Sequence, residues 1–314
     1  MFRERDLNVT LPTSDDFPQP CTSAMVFCAM TRLCMQISKV QEMSTRQVEV
    51  ETTDIADATS SLKSWMHNLP AGLRLYDDLG RRQSWSRPVV ELHIFYFICI
   101  ILIYLLPGAH RRSEVLGTAS IVASSCALRL YEEILHREQV PYLLAIHSWT
   151  TLVAAIPQKH CLIRHSNLSA ACAEELDIGR AILLQMREKY TSADTALQKF
   201  DSLQQADSVG CLQPNPLPAN RRNGAVPARN DGPHMGSWED RCDVASLFPF
   251  PESFSAKMLL LGQQPCSGSD ETSEDILSLE ASMGQDTFSW PNDLLNLDIL
   301  DMNHIFPSGA AFSM

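Results

Sequence analysis

The residues that could do chemistry begin with ten cysteines, which are scattered along the chain without a single CxxC pair. Cys21, Cys28 and Cys34 lie closest together, with six and five residues between them. Zinc cages usually contain a pair separated by about two to four residues, so this spacing is a weak metal signal. The N-terminus is charged and lacks an apolar signal region. The sequence therefore favours reduced thiols in an intracellular protein.

Histidines provide the next candidates. His160 and His165 flank Cys161 in the stretch QKHCLIRH, which has the composition of a metal site or a nucleophile cluster. Plain surface histidines in a loop are the favoured interpretation of this stretch. His93 and His147 lie on apolar faces of predicted helices, where a buried structural histidine is expected rather than a ligand.

Acidic pairs and sequence motifs do not indicate an enzyme. The pairs Glu132–Glu133 and Glu174–Glu175 are adjacent in sequence, so on a helix their side chains point to different faces and cannot form a dyad. The sequence contains no GxGxxG, GxxxxGK[ST], GxSxG or HExxH motif. Its basic residues cluster only in pairs, and a chain with a net negative charge repels the phosphates of nucleic acids. We therefore predict no catalytic, cofactor-binding or metal-ligating residue, and a protein that is not an enzyme.

The element around which the chain is organised is an apolar run of thirteen residues, Ile94 to Leu106. Lengthened to residues 89–106 it reaches eighteen, but it then includes Glu91 and His93. A membrane span needs about 20 apolar residues, and a carboxylate inside one costs at least ~2.5 kcal/mol. The run therefore predicts a buried core helix over about 89–106. A single-pass membrane protein that uses the same residues is the alternative.

The rest of residues 21–205 shows the three- and four-residue spacing of amphipathic helices, and no run of alternating residues typical of strands. This pattern predicts an all-α, irregular helical bundle around the buried helix. Residues 1–20, with three prolines, are predicted to be an extended lead-in. The other predicted helices lie at about 21–40, Asp54–His67, Ser113–Leu135, Tyr142–Ile156 and Asn167–Tyr190.

The C-terminal third has a different composition. Residues 206–236 are rich in Pro, Asn, Gly and Ala and are predicted to be a disordered linker. Residues 237–314 hold thirteen acidic and two basic residues, so they carry −11 of the formal net charge of −12. Large apolar side chains alternate with the acids, a pattern typical of disordered activation segments that fold on a partner. A charged, solvated tail without a partner is the alternative. The predicted anchors are Phe288, Trp290, Leu294, Leu295, Leu297, Ile299 and Leu300.

Several weak motifs occur together in a recognisable order. They are SLKSWMHNLPAGLRL, LHIFYFICIILI, SCALRLYEEILHREQVPYLLAIHSWTTLVAAI and AILLQMREKYTSADTALQKFDSL. Together, over about residues 1–205, they resemble the regulatory "middle homology" domain of fungal zinc-cluster (Zn2Cys6) transcription factors. The residues that match the family's Trp, Leu-Pro and Leu-His-x-x-Tyr positions are Trp65, Leu69, Pro70, Leu92, His93 and Tyr96.

The resemblance implies a nuclear transcriptional regulator of a metabolic or secondary-metabolite gene cluster. Its expected partners are the transcription machinery or a coactivator, and a homodimer or a heterodimer with a zinc-cluster relative is a further expectation. The family's six-cysteine module, which binds zinc in full-length relatives, is missing from this sequence, so no cofactor is assigned and direct DNA binding by this chain is not expected. The start resembles the middle of the family's domain, which suggests a shortened paralogue, a truncated gene product or a partner subunit. A small-molecule-binding helical protein is a further alternative.

Overall fold

Seven α-helices and several short 3-10 turns make up the part of the chain that the computed structural model describes, which is residues 10–19, 21–45, 50–106, 114–164, 169–210 and 244–255. No strand occurs in these ranges, and one isolated antiparallel bridge joins Tyr76 and Arg82. The predicted all-α fold is confirmed. The helices are α1 (Thr22–Thr45), α2 (Thr52–His67), α3 (Arg87–Tyr104), α4 (Glu114–His136), α5 (Ile146–Arg164), α6 (Ser169–Met186) and α7 (Thr191–Gly210).

Helix α3 is the centre of the molecule. Every residue from Leu92 to Leu106 is buried, because α1, α2, α4 and α5 all pack against it. Pro88 lies in the first turn, where its missing N–H leaves no bond unmade. By length and composition alone α3 is also apolar enough to cross a membrane, yet 83% of that stretch is buried inside the protein. The prediction of a buried apolar helix at the centre of the bundle is therefore confirmed.

The connection from α2 to α3 forms a compact turn. Helix α2 ends at His67, as the following Leu69-Pro70 predicts, and a 3-10 turn follows at Ala71–Leu73. Asp77 then accepts hydrogen bonds from the backbone N–H groups of Leu79 and Arg81, at 3.0 and 2.9 Å. These bonds, with the Arg81 side chain, lower the pKa of Asp77. Gly80 closes the turn with φ +72°, a left-handed conformation that favours glycine.

Helix α5 is longer than its periodicity predicts. It begins at Ile146 rather than Tyr142 and continues through Pro157 to Arg164. A proline inside a helix displaces the carbonyls of the preceding turn. The hydroxyl of Ser124 on α4 donates to the carbonyl of Ala154 in the turn that precedes Pro157. The prediction that His160 is a surface loop residue is wrong, because it lies inside this helix and is 8% exposed.

The predicted helix at Asn167–Tyr190 is shorter in the structure. Helix α6 ends at Met186, a turn follows, and α7 begins at Thr191. The buried stripe predicted along it is present, and Cys172, Leu176, Leu183 and Met186 are all at most 3% exposed. Helix α7 runs to Gly210, so the linker predicted from residue 206 is helical at its start. The remaining predicted linker, 211–236, lies outside the described residues.

The N-terminal lead-in differs slightly from its prediction. Within the described part of residues 1–20, Ser14–Asp16 form a 3-10 turn. The Asp16 carboxylate accepts a hydrogen bond from the backbone N–H of Thr13 at 2.7 Å, which caps that turn.

The largest difference from the prediction lies in the acidic tail. Residues 244–255 were predicted to be part of a disordered stretch, but they form two short 3-10 turns, Val244–Leu247 and Glu252–Phe254, packed on the helical body. Leu247 and Phe248 are buried. They are held there by contacts with distant parts of the chain, which a search for local periodicity does not detect. The seven predicted tail anchors between Phe288 and Leu300 lie outside the described residues.

Candidate functional site

A groove on the surface of α3 is the most distinctive site in the described part of the chain. We call residues 244–255, which occupy it, the C-terminal segment. Phe97 of α3 forms the floor, and three phenylalanines of the segment pack on it. Phe248 stacks on Phe97 with an interplanar angle of 11°, and the ring centroids of Phe250 and Phe254 lie 5.5 and 6.1 Å from that of Phe97.

The turn between α2 and α3 forms one wall of this groove. The ring of Tyr76 meets Phe254 edge-on at 5.8 Å and Phe250 at 6.5 Å. At Gly80 an added Cβ would lie 3.8 Å from Pro251, which places the tip of the turn beside the segment. Aromatic contacts of this kind contribute about 0.5–1.5 kcal/mol each beyond their buried area.

Polar bonds fix the two ends of the segment. The buried hydroxyl of Tyr96 donates to the carbonyl of Leu247 at 2.8 Å. At the other end the hydroxyls of Ser125 and Ser255 lie 2.6 Å apart. Ser125 also donates to Oε1 of the buried Glu175 carboxylate, and Nε of Arg129 lies 3.7 Å from the same oxygen. The segment is therefore held in one register by a carbonyl at its start and a hydroxyl at its end.

The predicted family-motif residues gather on and beneath this groove. Trp65 stacks on Tyr96, with ring centroids 5.5 Å apart, and its indole N–H donates to the carbonyl of Ala29. Leu69 and Leu92 are also buried. Pro70 is the exposed residue that precedes the 3-10 turn at Ala71–Leu73. The structure thus brings Trp65 and Tyr96 into contact, and it places His93 on the same helix as Tyr96, against Phe250 of the segment.

His93 lies under the C-terminal segment and is fully buried. Its Nδ1 donates to the carbonyl of Val89 at 2.9 Å, and its ring meets Phe250 edge-on at 6.1 Å. Its Nε2 has no hydrogen-bond partner among the described residues. Burial, opposed by the bond to Val89 and assisted by the charge of Arg82, lowers the pKa of His93 to about 4. The imidazole is therefore neutral at pH 7, as a core histidine would be.

A second polar cluster lies between α3, α4 and α5. His147 bonds through Nδ1 to the hydroxyl of Tyr131 at 2.8 Å, and its Nε2 lies 3.6 Å from the Glu91 carboxylate. A carboxylate, an imidazole and a phenol in sequence can relay protons. Here Tyr131 is fully buried and also bonds to Thr150, and burial raises its pKa. The cluster therefore satisfies polar groups in the core. Its three members come from three helices, so no sequence spacing identifies them.

The thiols and a surface cavity are further candidates for a site in the described ranges. No group of three or more metal-ligating side chains occurs there. Burial raises the pKa of Cys99 and Cys126, which keeps both thiols protonated. A surface cavity beside Arg74, Arg82 and Trp85 has room for about 10 Å³, no more than a water molecule.

Comparisons with known proteins give this chain no relative. No protein-family model, curated protein or solved structure is significantly similar to it.

Proposed function

We propose that this protein is a transcriptional regulator of the fungal zinc-cluster type that acts in the nucleus on a metabolic or secondary-metabolite gene cluster. Its helical body, residues 21–210, is the regulatory part, and its acidic C-terminal stretch recruits a coactivator or the transcription machinery. In this proposal the chain reaches DNA through a partner that carries a DNA-binding module. A homodimer or a heterodimer with a zinc-cluster relative fits this role.

The observation that carries the proposal is the division of charge along the chain. Residues 1–236 are close to neutral, whereas residues 237–314 hold −11 of the −12 charges with bulky apolar side chains between the acids. Acids keep such side chains accessible to water, and a partner groove then binds them as a short ordered segment. The order of the motifs around Trp65 and Tyr96 adds the resemblance to the regulatory domain.

The test is a reporter assay with the whole chain fused to an unrelated DNA-binding domain. We expect activation of the reporter, and we expect Trp290→Ala, Leu294→Ala and Leu297→Ala together to reduce it about tenfold, since a few anchors carry most of the binding energy of such segments.

A matched control is available in the same stretch. Met258, Leu259 and Leu260 are apolar residues in a part of the tail with few acids. Changing all three to Ala removes as many large side chains and is expected to leave activation within twofold, at equal protein level by immunoblot. Absence of activation, or equal loss in both triple variants, would contradict the proposal.

A further inference from the structure

The C-terminal segment returns to the helical body after a long excursion of the chain. Thirty-three residues, 211–243, separate it from the end of α7, yet its side chains pack on α3, which lies about 150 positions earlier in the sequence. It adds no helix to the bundle. Its contacts are those of a short peptide that lies on a protein surface.

We propose that the groove over Phe97 is a peptide-binding site and that residues 244–255 are its resident ligand, held in cis and exchangeable with the same sequence supplied in trans. This proposal is independent of the function proposed above. The ligand class is an extended segment with three aromatic side chains separated by prolines, here Leu247-Phe-Pro-Phe-Pro-Glu-Ser-Phe-Ser255.

The composition of the segment is that of a peptide ligand. Pro249 and Pro251 fix the backbone beside Phe250, so less conformational freedom is lost when the segment binds. Prolines next to aromatic-lined grooves are a recurring mode of peptide recognition. Ala245, Ser246, Pro249 and Ser253 are exposed, whereas Leu247, Phe248 and Ser255 are buried, so the segment faces the groove with some residues and water with others.

The body has its own core without the segment. Helices α3 and α4 make the most extensive contact in the bundle, and α5, α6 and α7 pack on one another. The segment touches chiefly α2, α3, α4 and the turn that carries Tyr76. Its removal uncovers Phe97, Tyr96 and His93 but breaks no helix–helix contact. A preformed groove is therefore expected to remain.

The segment is held by noncovalent contacts of the kind that a bound peptide makes. They include ring contacts of its phenylalanines with Phe97, Tyr76 and His93 and the polar anchors at Leu247 and Ser255. Covalent linkage favours the resident segment over a free one, because it keeps the local concentration high. Cutting the chain between the body and the segment removes that advantage and leaves the groove contacts intact.

The experiment uses the full chain with a protease site inserted between residues 222 and 228. After cleavage we expect both pieces to elute together in size-exclusion chromatography. A free peptide of residues 242–257 should displace the C-terminal piece in proportion to its concentration, while the helical circular dichroism of the body is unchanged.

Variant peptides identify the anchors. Changing Phe248, Phe250 and Phe254 to Ala should weaken displacement about a hundredfold, since buried aromatic residues dominate such interfaces. Ser255→Asp would place a second carboxylate beside the buried Glu175 and should also weaken displacement. The control peptide with Ala245→Ser and Ser253→Ala changes only exposed positions and should bind within twofold of the natural sequence.

A change in the body tests the groove itself. Tyr96→Phe removes the hydroxyl that donates to Leu247 and keeps the ring on Trp65. We expect the natural peptide to bind this cleaved variant about fivefold more weakly, as for the loss of one hydrogen bond.

Three results would overturn the proposal. Separation of the pieces at once on cleavage would show that the contacts do not hold the segment. Failure of excess peptide to displace the C-terminal piece would make the segment a permanent part of the core. A fall in helical circular dichroism as the piece is released would show that no groove exists without it.

Discussion

His93 is a fully buried titratable side chain. Its Nδ1 is bonded to the backbone of its own helix, and its Nε2 lies among apolar groups under Phe250. A proton on Nε2 would add a charge to an environment without a partner for it. This explains why burial holds the pKa near 4 rather than near 6.5.

The shift makes stability depend on pH. The unfolded chain takes up a proton at His93 below pH 6.5, whereas the folded chain does so only near pH 4. The stability that comes from keeping His93 neutral in the folded chain is therefore fully present above pH 6.5, and it is lost as the pH falls from 6.5 towards 4. Between pH 7.5 and pH 5 we expect this residue to lower the free energy of unfolding by about 2 kcal/mol, measured by urea titration.

Two variants separate this effect from the other titrating groups. His93→Leu has a side chain of similar volume that carries no charge. Its free energy of unfolding should therefore fall by about 2 kcal/mol less than that of the natural protein between pH 7.5 and pH 5. His67→Gln changes an exposed histidine at the end of α2 and should keep the slope of the natural protein. Equal pH dependence in all three proteins would show that His93 does not titrate as its burial implies.

At the scale of elements, Gly179 in α6 lies where side chains of three other helices come close to the backbone. A Cβ added there would lie 3.3 Å from both Leu128 of α4 and Phe200 of α7, and 3.5 Å from Thr151 of α5. The absence of a side chain lets four helices approach one another. A larger residue must push at least one of these neighbours out of place.

Gly179→Val is therefore expected to lower the free energy of unfolding by about 2 kcal/mol or more, as overpacking of a core does. Urea titration at pH 7.5 measures the change. Gly72→Val is the control, because nothing lies within 4 Å of a Cβ at that position, and we expect a change below about 0.5 kcal/mol there. If the two variants lose similar stability, close helix approach is not the reason for a glycine at 179.

The helices could be predicted to the extent that one face of each is apolar. The buried positions Cys172, Leu176, Leu183 and Met186 follow a helical period, and the sequence identifies them. The boundary between α6 and α7 could not be predicted in the same way, because Tyr190 continues the stripe across the turn. Its hydroxyl reaches the carbonyl of Leu143, a contact that only the folded chain reveals.

The groove could be predicted only in part. Trp65 and Tyr96 are recognisable from their motifs, and the structure stacks them. The occupant of the groove has no helical or strand period, so the acidic composition around it indicated disorder. The available signal was local, since three phenylalanines and two prolines within 248–254 are unusual in a solvated acidic tail. That these phenylalanines pack on Phe97 could be learned only from the tertiary structure.

At the scale of the whole molecule, the chain combines a nearly neutral helical body with an anionic C-terminal stretch. The C-terminal segment joins the two, because it belongs to the acidic region in sequence and to the core in its contacts. Leu247 and Phe248 are as buried as residues of the helices. The contact between the hydroxyls of Ser255 and Ser125 holds the C-terminal end of this described segment on α4.

The location of the molecule in the cell depends on what covers α3. Its buried faces contact α1, α2, α4 and α5, and Glu91 pairs with Arg87 at 3.0 Å within its first turns. A lipid-facing helix would have to lose these neighbours and would place Glu91 and His93 in hydrocarbon, at a cost of at least ~2.5 kcal/mol for the carboxylate alone. We therefore expect alkaline carbonate extraction of cell membranes to release the full chain into the supernatant.

The controls for that extraction are a single-span protein of the same membranes, which must stay in the pellet, and a peripheral protein, which must be released. Retention of the chain with the single-span protein would mean that α3 leaves the bundle to enter the bilayer. The groove over Phe97 would then lose its floor, because the C-terminal segment packs on the same helix. Release of the chain agrees with a helix whose neighbours and C-terminal segment cover it inside one water-exposed protein.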